Sequence, residues 1–218
     1  MKYFLLLVVA NGIAATLLIL SCHEQVASES ISISVIVDRT DALVLQPEHE
    51  KILSLMNLDP KSLTNIETGV EFRSSEISSV DVMQTKDFVL PPVSYHSVNA
   101  KARQKEIKAF FKQIQEALST KQPHSSSEYS SIFYPLTREA KRLSQEKTNR
   151  KYLIVYSDMV EHAPWLDLYR EGNTSEEVIL QRFRKEMKLE KLEGLHIILR
   201  YIPVRKIATP IASLSQLR

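Results

Sequence analysis

The sequence predicts an α/β fold: a doubly wound, mostly parallel sheet with one antiparallel edge strand, held between helices in three α/β/α layers. Three observations carry that expectation. Short β-branched or apolar runs, ISISVIV, YLIVY and GLHIILRYIP, each stop at a polar residue or a proline. Amphipathic stretches of helical length lie between them, the arrangement that calls for a parallel sheet covered on both faces. Two strand-like pieces also follow one another with no helix between, which places an antiparallel step at one edge.

Taken in order, Ile31, Ile33, Val35 and Val37 alternate with serines until Ile36 fills the other face, the pattern of a strand passing from an edge-like to a fully buried setting. PEHEKILSLMNL follows, with Pro47 at a helix start and Ile52, Leu53, Leu55 and Met56 as its apolar positions. Two strands, about Val70 to Ile77 and Asp87 to Leu90, are stopped by Pro91-Pro92 and read as a hairpin or a bent edge. NAKARQKEIKAFFKQIQEALST spaces Ala102, Ile107, Phe110, Phe111, Ile114 and Leu118 as a helix does. A serine-rich loop through Ser125 to Ser131 runs into a second helix, and a strand follows at Tyr152 to Tyr156. SEEVILQRFRKEMKLEKL forms a helix capped by Thr174 or Ser175, and a last strand ends at Pro203. The order is β α β β α α β α β. Ala208 to Arg218 is read as a stub of a final helix, and no internal repeat is found.

The 218 residues, 44% apolar and 25% charged, suit one folded domain of moderate size. With 28 basic against 26 acidic residues and no long single-sign block, neither a nucleic-acid nor an anionic-membrane surface is indicated. One cysteine, Cys22, excludes an internal disulfide, a cysteine zinc cluster and a redox pair.

That cysteine closes an apolar run. Lys2, YFLLLVVANGIAATLLIL and Ser21-Cys22 supply the charged flank, apolar middle and small residue of a secretion signal. The ending LILSC resembles the bacterial lipoprotein signal, which implies cleavage after Ser21 and a lipid on Cys22. Residues 1–21 are then a signal peptide, 22–30 a lipidated tether and 31–218 the domain. The alternative is a retained transmembrane anchor, since the run approaches the ~20 residues that span a bilayer. Either way the domain is expected outside the cytoplasm, held to a membrane face as a periplasmic or cell-surface protein.

Open parallel sheets carry functional loops beyond the carboxyl ends of their strands. Asp38 and Asp158 stand just past the first and fourth predicted strands, and the serines at 125–131 open the helix before the fourth. VIVDRTDAL, YSSIFYPL and LIVYSDM together resemble the von Willebrand factor A (vWA) domain family. In that family, an Asp-x-Ser-x-Ser strand end, a threonine at a later helix and an aspartate after the central fourth strand form a metal-ion-dependent adhesion site. The resemblance covers about Ile31 to Pro203. It implies Asp38, Thr40, Ser130 (or Ser131, by a one-residue shift) and Asp158 as ligands to magnesium or another divalent cation, with Ala42 standing where the second serine would be. Magnesium prefers hard oxygens and keeps waters, so such a set leaves positions for a partner's carboxylate. The same aspartates equally suit helix caps or acceptors of loop N–H groups, and the serines equally suit a solvated loop.

Enzyme motifs are weak. Thr40 stands where an aspartyl phosphotransferase wants a second carboxylate, the four glycines at 12, 69, 172 and 194 are scattered, and neither Gly-x-Ser-x-Gly nor His-Glu-x-x-His occurs. EHAPWLDLY falls at the expected functional edge: His162 is the one histidine of interest there, or else an exposed loop histidine, and Trp165 and Tyr169 either anchor a partner or, for Trp165 with Leu166 and Leu168, fold inward as core. The resulting expectation is a non-enzymatic, lipid-anchored vWA-like module for an unidentified protein partner. Alternatives are a metal-dependent hydrolase using Asp38 and Asp158, and a scaffold without a metal.

Overall fold

The computed structural model describes residues 29–40, 46–59, 61, 64–77, 83–94, 99–119, 131–168, 170, 174–187 and 192–201. Five strands, β1 (Ser30–Asp38), β2 (Gly69–Ile77), β3 (Met83–Leu90), β4 (Arg150–Tyr156) and β7 (Leu195–Arg200), form one sheet in the order β3-β2-β1-β4-β7. All neighbours run parallel except β2 and β3. Among the described residues four helices flank the sheet: α1 (His49–Ser54), α2 (Ala100–Ser119), α3 (Phe133–Gln145) and α4 (Glu176–Met187). The expected three-layer architecture and antiparallel edge strand are both present.

Side-chain alternation along β1 divides the core in two. Ile31, Ile33, Val35 and Val37 pack with Phe72, Ile154 and Tyr156 beneath Ile52 of α1 and Ile107, Phe110 and Ile114 of α2. Ile36 faces the opposite way and joins Leu153 and Val155 beneath Phe133, Ala140 and Leu143 of α3 and Phe183 of α4. The serines of β1 are not edge-like, which corrects the sequence expectation. Ser32 and Ser34 are buried because β1 is the central strand, and the Ser34 hydroxyl donates to Glu139 Oε1 of α3 at 3.1 Å. Glu139, a buried acid, also receives Arg142 Nε at 2.5 Å and lies 3.6 Å from Arg73 Nη1.

The strand order reverses at β1: α1 carries the chain one way to β2, and α4 carries it the other way from β4 to β7. The carboxyl ends of β1 and β4 therefore adjoin at the topological switch point, where open α/β sheets present a crevice. At the opposite sheet edge, Gly69 donates from its N–H to Glu29 O at 2.9 Å, and Arg103 of α2 reaches in beside it. Arg103 is 1% exposed and donates to the carbonyls of Ile66, Thr68 and Pro91 at 2.8, 2.9 and 2.9 Å.

Two differences from the sequence reading concern extent. β3 begins at Met83 rather than near Asp87, because its ladder with β2 continues to the Ile77 and Met83 pair. A two-rung hairpin, β5 (His162–Ala163) and β6 (Leu166–Asp167), occupies a stretch read as loop. The segment 1–28, with Cys22, and the tail from Ala208 lie outside the described residues. Among the described residues no helix is long and apolar enough to cross a membrane.

Candidate functional site

β1 delivers Asp38 to the switch point, 7% exposed. Its Oδ1 accepts the Thr40 N–H at 3.0 Å and the Thr40 hydroxyl at 2.6 Å, a tight turn closed by the side chain two residues back. Its Oδ2 accepts the Ser157 hydroxyl at 2.9 Å, across the join between β1 and β4. Ser157 Oγ in turn accepts the Met159 N–H at 2.9 Å, while Met159 itself holds a left-handed backbone with φ 61°. That conformation is uncommon for a residue other than glycine and marks a constrained loop. Asp158 is half-buried beside them, and its Oδ1 accepts the Val160 N–H at 2.9 Å. Arg39, next to Asp38, extends the ladder by donating to Ile77 O at 3.0 Å and pairs through Nη2 with Glu76 Oε1 at 3.3 Å.

The four expected ligands fare differently. Asp38 and Thr40 are directly bonded, Asp158 stands one residue after the serine that joins them, and Ser130 lies outside the described residues, as does Ala42. The shifted alternative, Ser131, is fully buried and donates to Glu161 Oε1 at 2.8 Å. Among the described residues most of these oxygens already carry protein hydrogen bonds. Asp38 Oδ1 already holds two donors, Ser157 Oγ both donates and accepts, Asp158 Oδ1 is spent on a loop amide, and Ser131 is turned to Glu161. About six oxygens are wanted by a divalent ion, and no cluster of three His, Cys, Asp or Glu groups occurs among the described residues.

Ser157 and Glu161 are the residues that sequence reading missed. A hydroxyl next to a strand-end aspartate was a local signal for Ser157. Glu161 gave none, because its partners are distant in the chain. Its carboxylate, 0% exposed, accepts Ser131 Oγ, the Ile132 and Phe133 amides at 2.8 and 3.1 Å, and Trp165 Nε1 at 3.0 Å. It thus satisfies the first amides of α3 and complements the positive end of that helix. Burial pushes the Glu161 carboxyl up, and these four donors offset only part of the rise.

Trp165 is consequently tied inward by its indole N–H, with its ring edge-on to Phe133 and Tyr134 at centroid distances of 6.1 Å. His162 Nδ1 lies 3.0 Å from Asp167 Oδ1, across the β5–β6 rung, so it is part of the hairpin rather than an exposed loop histidine. Burial alone would raise the Asp167 carboxyl, but His162 and Arg170 hold it below the usual carboxylate range. Tyr169 lies outside the described residues.

Fold and site together define a doubly wound three-layer α/β domain with a hydrogen-bonded polar rim at its switch point. No protein-family model matches the chain, and no curated protein sequence matches it.

Proposed function

We propose that this chain is a lipid-anchored, extracytoplasmic vWA-like module that binds a protein partner at the adjoining ends of β1 and β4. The observation that carries the reading is the Asp38 carboxylate, bonded to Thr40 and Ser157 at the switch point. Those bonds fix two loops from different strands against each other. A pre-organised rim loses less conformational entropy on binding than two loose loops would. Thr40 and Asp158, both partly exposed, supply polar groups at that rim. In this proposal the ion is dispensable, because the aspartate that would orient it already has protein donors. The same donors on Asp38 count against the hydrolase alternative at that residue, since it needs a carboxylate oxygen for a water or a metal.

The test places a photo-crosslinking residue at position 40, 158 or 61, the last on a different surface segment, in cells expressing the full chain. One shared adduct from positions 40 and 158 that survives EDTA and is absent from position 61 supports the module. An adduct lost in EDTA would restore the metal. No adduct, with phosphoester or peptide turnover abolished by Asp38→Asn, would replace binding by hydrolysis. Anchoring is tested separately: Cys22→Ser is expected to release the chain from membranes or block its processing, and unchanged retention with unchanged mass would favour an uncleaved span.

A further inference from the structure

Lys101, Lys105, Lys108 and Lys112 of α2 follow one another at steps of four, three and four residues. A helix turns 100° per residue, so these four side chains fall within one narrow stripe. All four are exposed, and the stripe lies opposite Arg103, Ile107, Phe110, Ile114 and Leu118, the positions buried against the sheet. The amines crown the outermost line of the helix, along about 16 Å of its axis. Of the two acids on the exposed side, Glu106 is turned to Arg103 at 3.1 Å, while Glu116 lies 3.6 Å from Lys112 at the far end of the ridge, so Lys101, Lys105 and Lys108 carry most of its net charge. The linear sequence shows no single-sign block because the buried positions interrupt it. Winding removes those interruptions, which changes the charge reading given for the unfolded string.

The position of this ridge in the fold identifies what it faces. Because β3 runs antiparallel, it returns the chain to the sheet edge where β1 begins, and α2 starts there. Arg103, in the first turn of α2, bonds Thr68 O, and the next residue, Gly69, bonds Glu29 O. The Lys101 end of the ridge and the point where the N-terminal tether joins the domain therefore share one edge. From Cys22 to Glu29 the chain can span at most roughly 25 Å. That keeps this edge close to whatever surface holds the N-terminus.

We infer that the lysine ridge of α2 docks on the anionic phospholipid headgroups of the membrane that anchors the chain. The inference rests on the anchored reading above and adds orientation to it: the domain lies on its α2 flank instead of swinging freely. Lysines near an anionic leaflet each contribute about a fivefold gain in association, and the gain is screened by salt.

The experiment uses the full chain in vesicles of phosphatidylcholine alone or with phosphatidylglycerol, probed by an amine-acetylating reagent and mass spectrometry. In the anionic vesicles the four ridge amines are expected to react about fivefold more slowly than in neutral ones. Lys141 and Lys185, exposed on other helices, serve as references and should not change. About 0.5 M NaCl should abolish the protection, since it shortens the screening length to a few ångströms. Equal reactivity in the two vesicle types overturns the inference. So does protection that arises only when acidic membrane proteins are added. A chain that fails to float with neutral vesicles refutes the anchor alone. The ridge is then tested by flotation on anionic vesicles, where K101Q/K105Q/K108Q/K112Q must lose association for the inference to stand and unchanged association overturns it.

Discussion

Glu161 accepts a hydrogen bond from the Ser131 hydroxyl at 2.8 Å, thirty positions earlier in the chain, and so links the loop after β4 to the start of α3. Burial holds its carboxyl above the ordinary value of 4.5. With a raised native value, its contribution to stability is full below the unfolded value and is lost as pH rises through the native one. Urea unfolding of the wild type and Glu161→Gln across the acid-to-neutral range should therefore show the largest gap at the acid end. The substitution itself should cost about 1–3 kcal/mol, because an amide NH2 would face donors. A gap that widens toward neutral pH would show that the donors, not burial, dominate.

Asp38→Ala should destabilise by about 2–3 kcal/mol, since it strands the Thr40 and Ser157 groups around a lost charged acceptor. Ser157→Ala should cost about 1 kcal/mol, and the double variant less than the sum, with a coupling of about 1 kcal/mol. Strict additivity in denaturant titrations would mean that the bond across β1 and β4 contributes nothing.

Adding millimolar magnesium should leave the melting temperature unshifted, because a ligand stabilises only through a site formed in the native state. A rise that saturates with magnesium and vanishes in Asp38→Asn would overturn the reading of the site as ion-independent.

Arg103→Met keeps much of the stem's packing but leaves three carbonyls without their guanidinium. A loss of about 3–5 kcal/mol is expected, with Arg103→Lys recovering only part, because one ammonium lacks the planar fork. Near-wild-type unfolding of Arg103→Met would refute the anchoring role.

Gly69→Ala introduces a methyl group 2.9 Å from Pro92 Cδ and 3.0 Å from its backbone N. Overpacking of this kind should cost about 1–3 kcal/mol. Thermal melts of the two proteins decide it directly.

The architecture was legible because its signals are local. Alternation in ISISVIV, the spacing of Ile107, Phe110 and Ile114, and the Pro91-Pro92 stop each lie within one element. Asp38 and Asp158 were legible as strand-end residues for the same reason. What escaped depends on partners far along the chain. Ser32 and Ser34 looked like edge residues until β1 proved central, and Glu161 acquires its role only through α3. The β5–β6 hairpin is too short to impose a period. The lysine ridge escaped for another reason: its charge is dispersed in the string and collected by helical geometry.

The central place of β1 also bears on how the molecule assembles. Its first strand needs β2 on one side and β4 on the other, and the Asp38 and Ser157 pair closes a separation of 119 residues. Such a long-range closure delays completion of the core and slows folding. A nascent chain extending only to α3 would have β1 bare along the flank that β4 occupies.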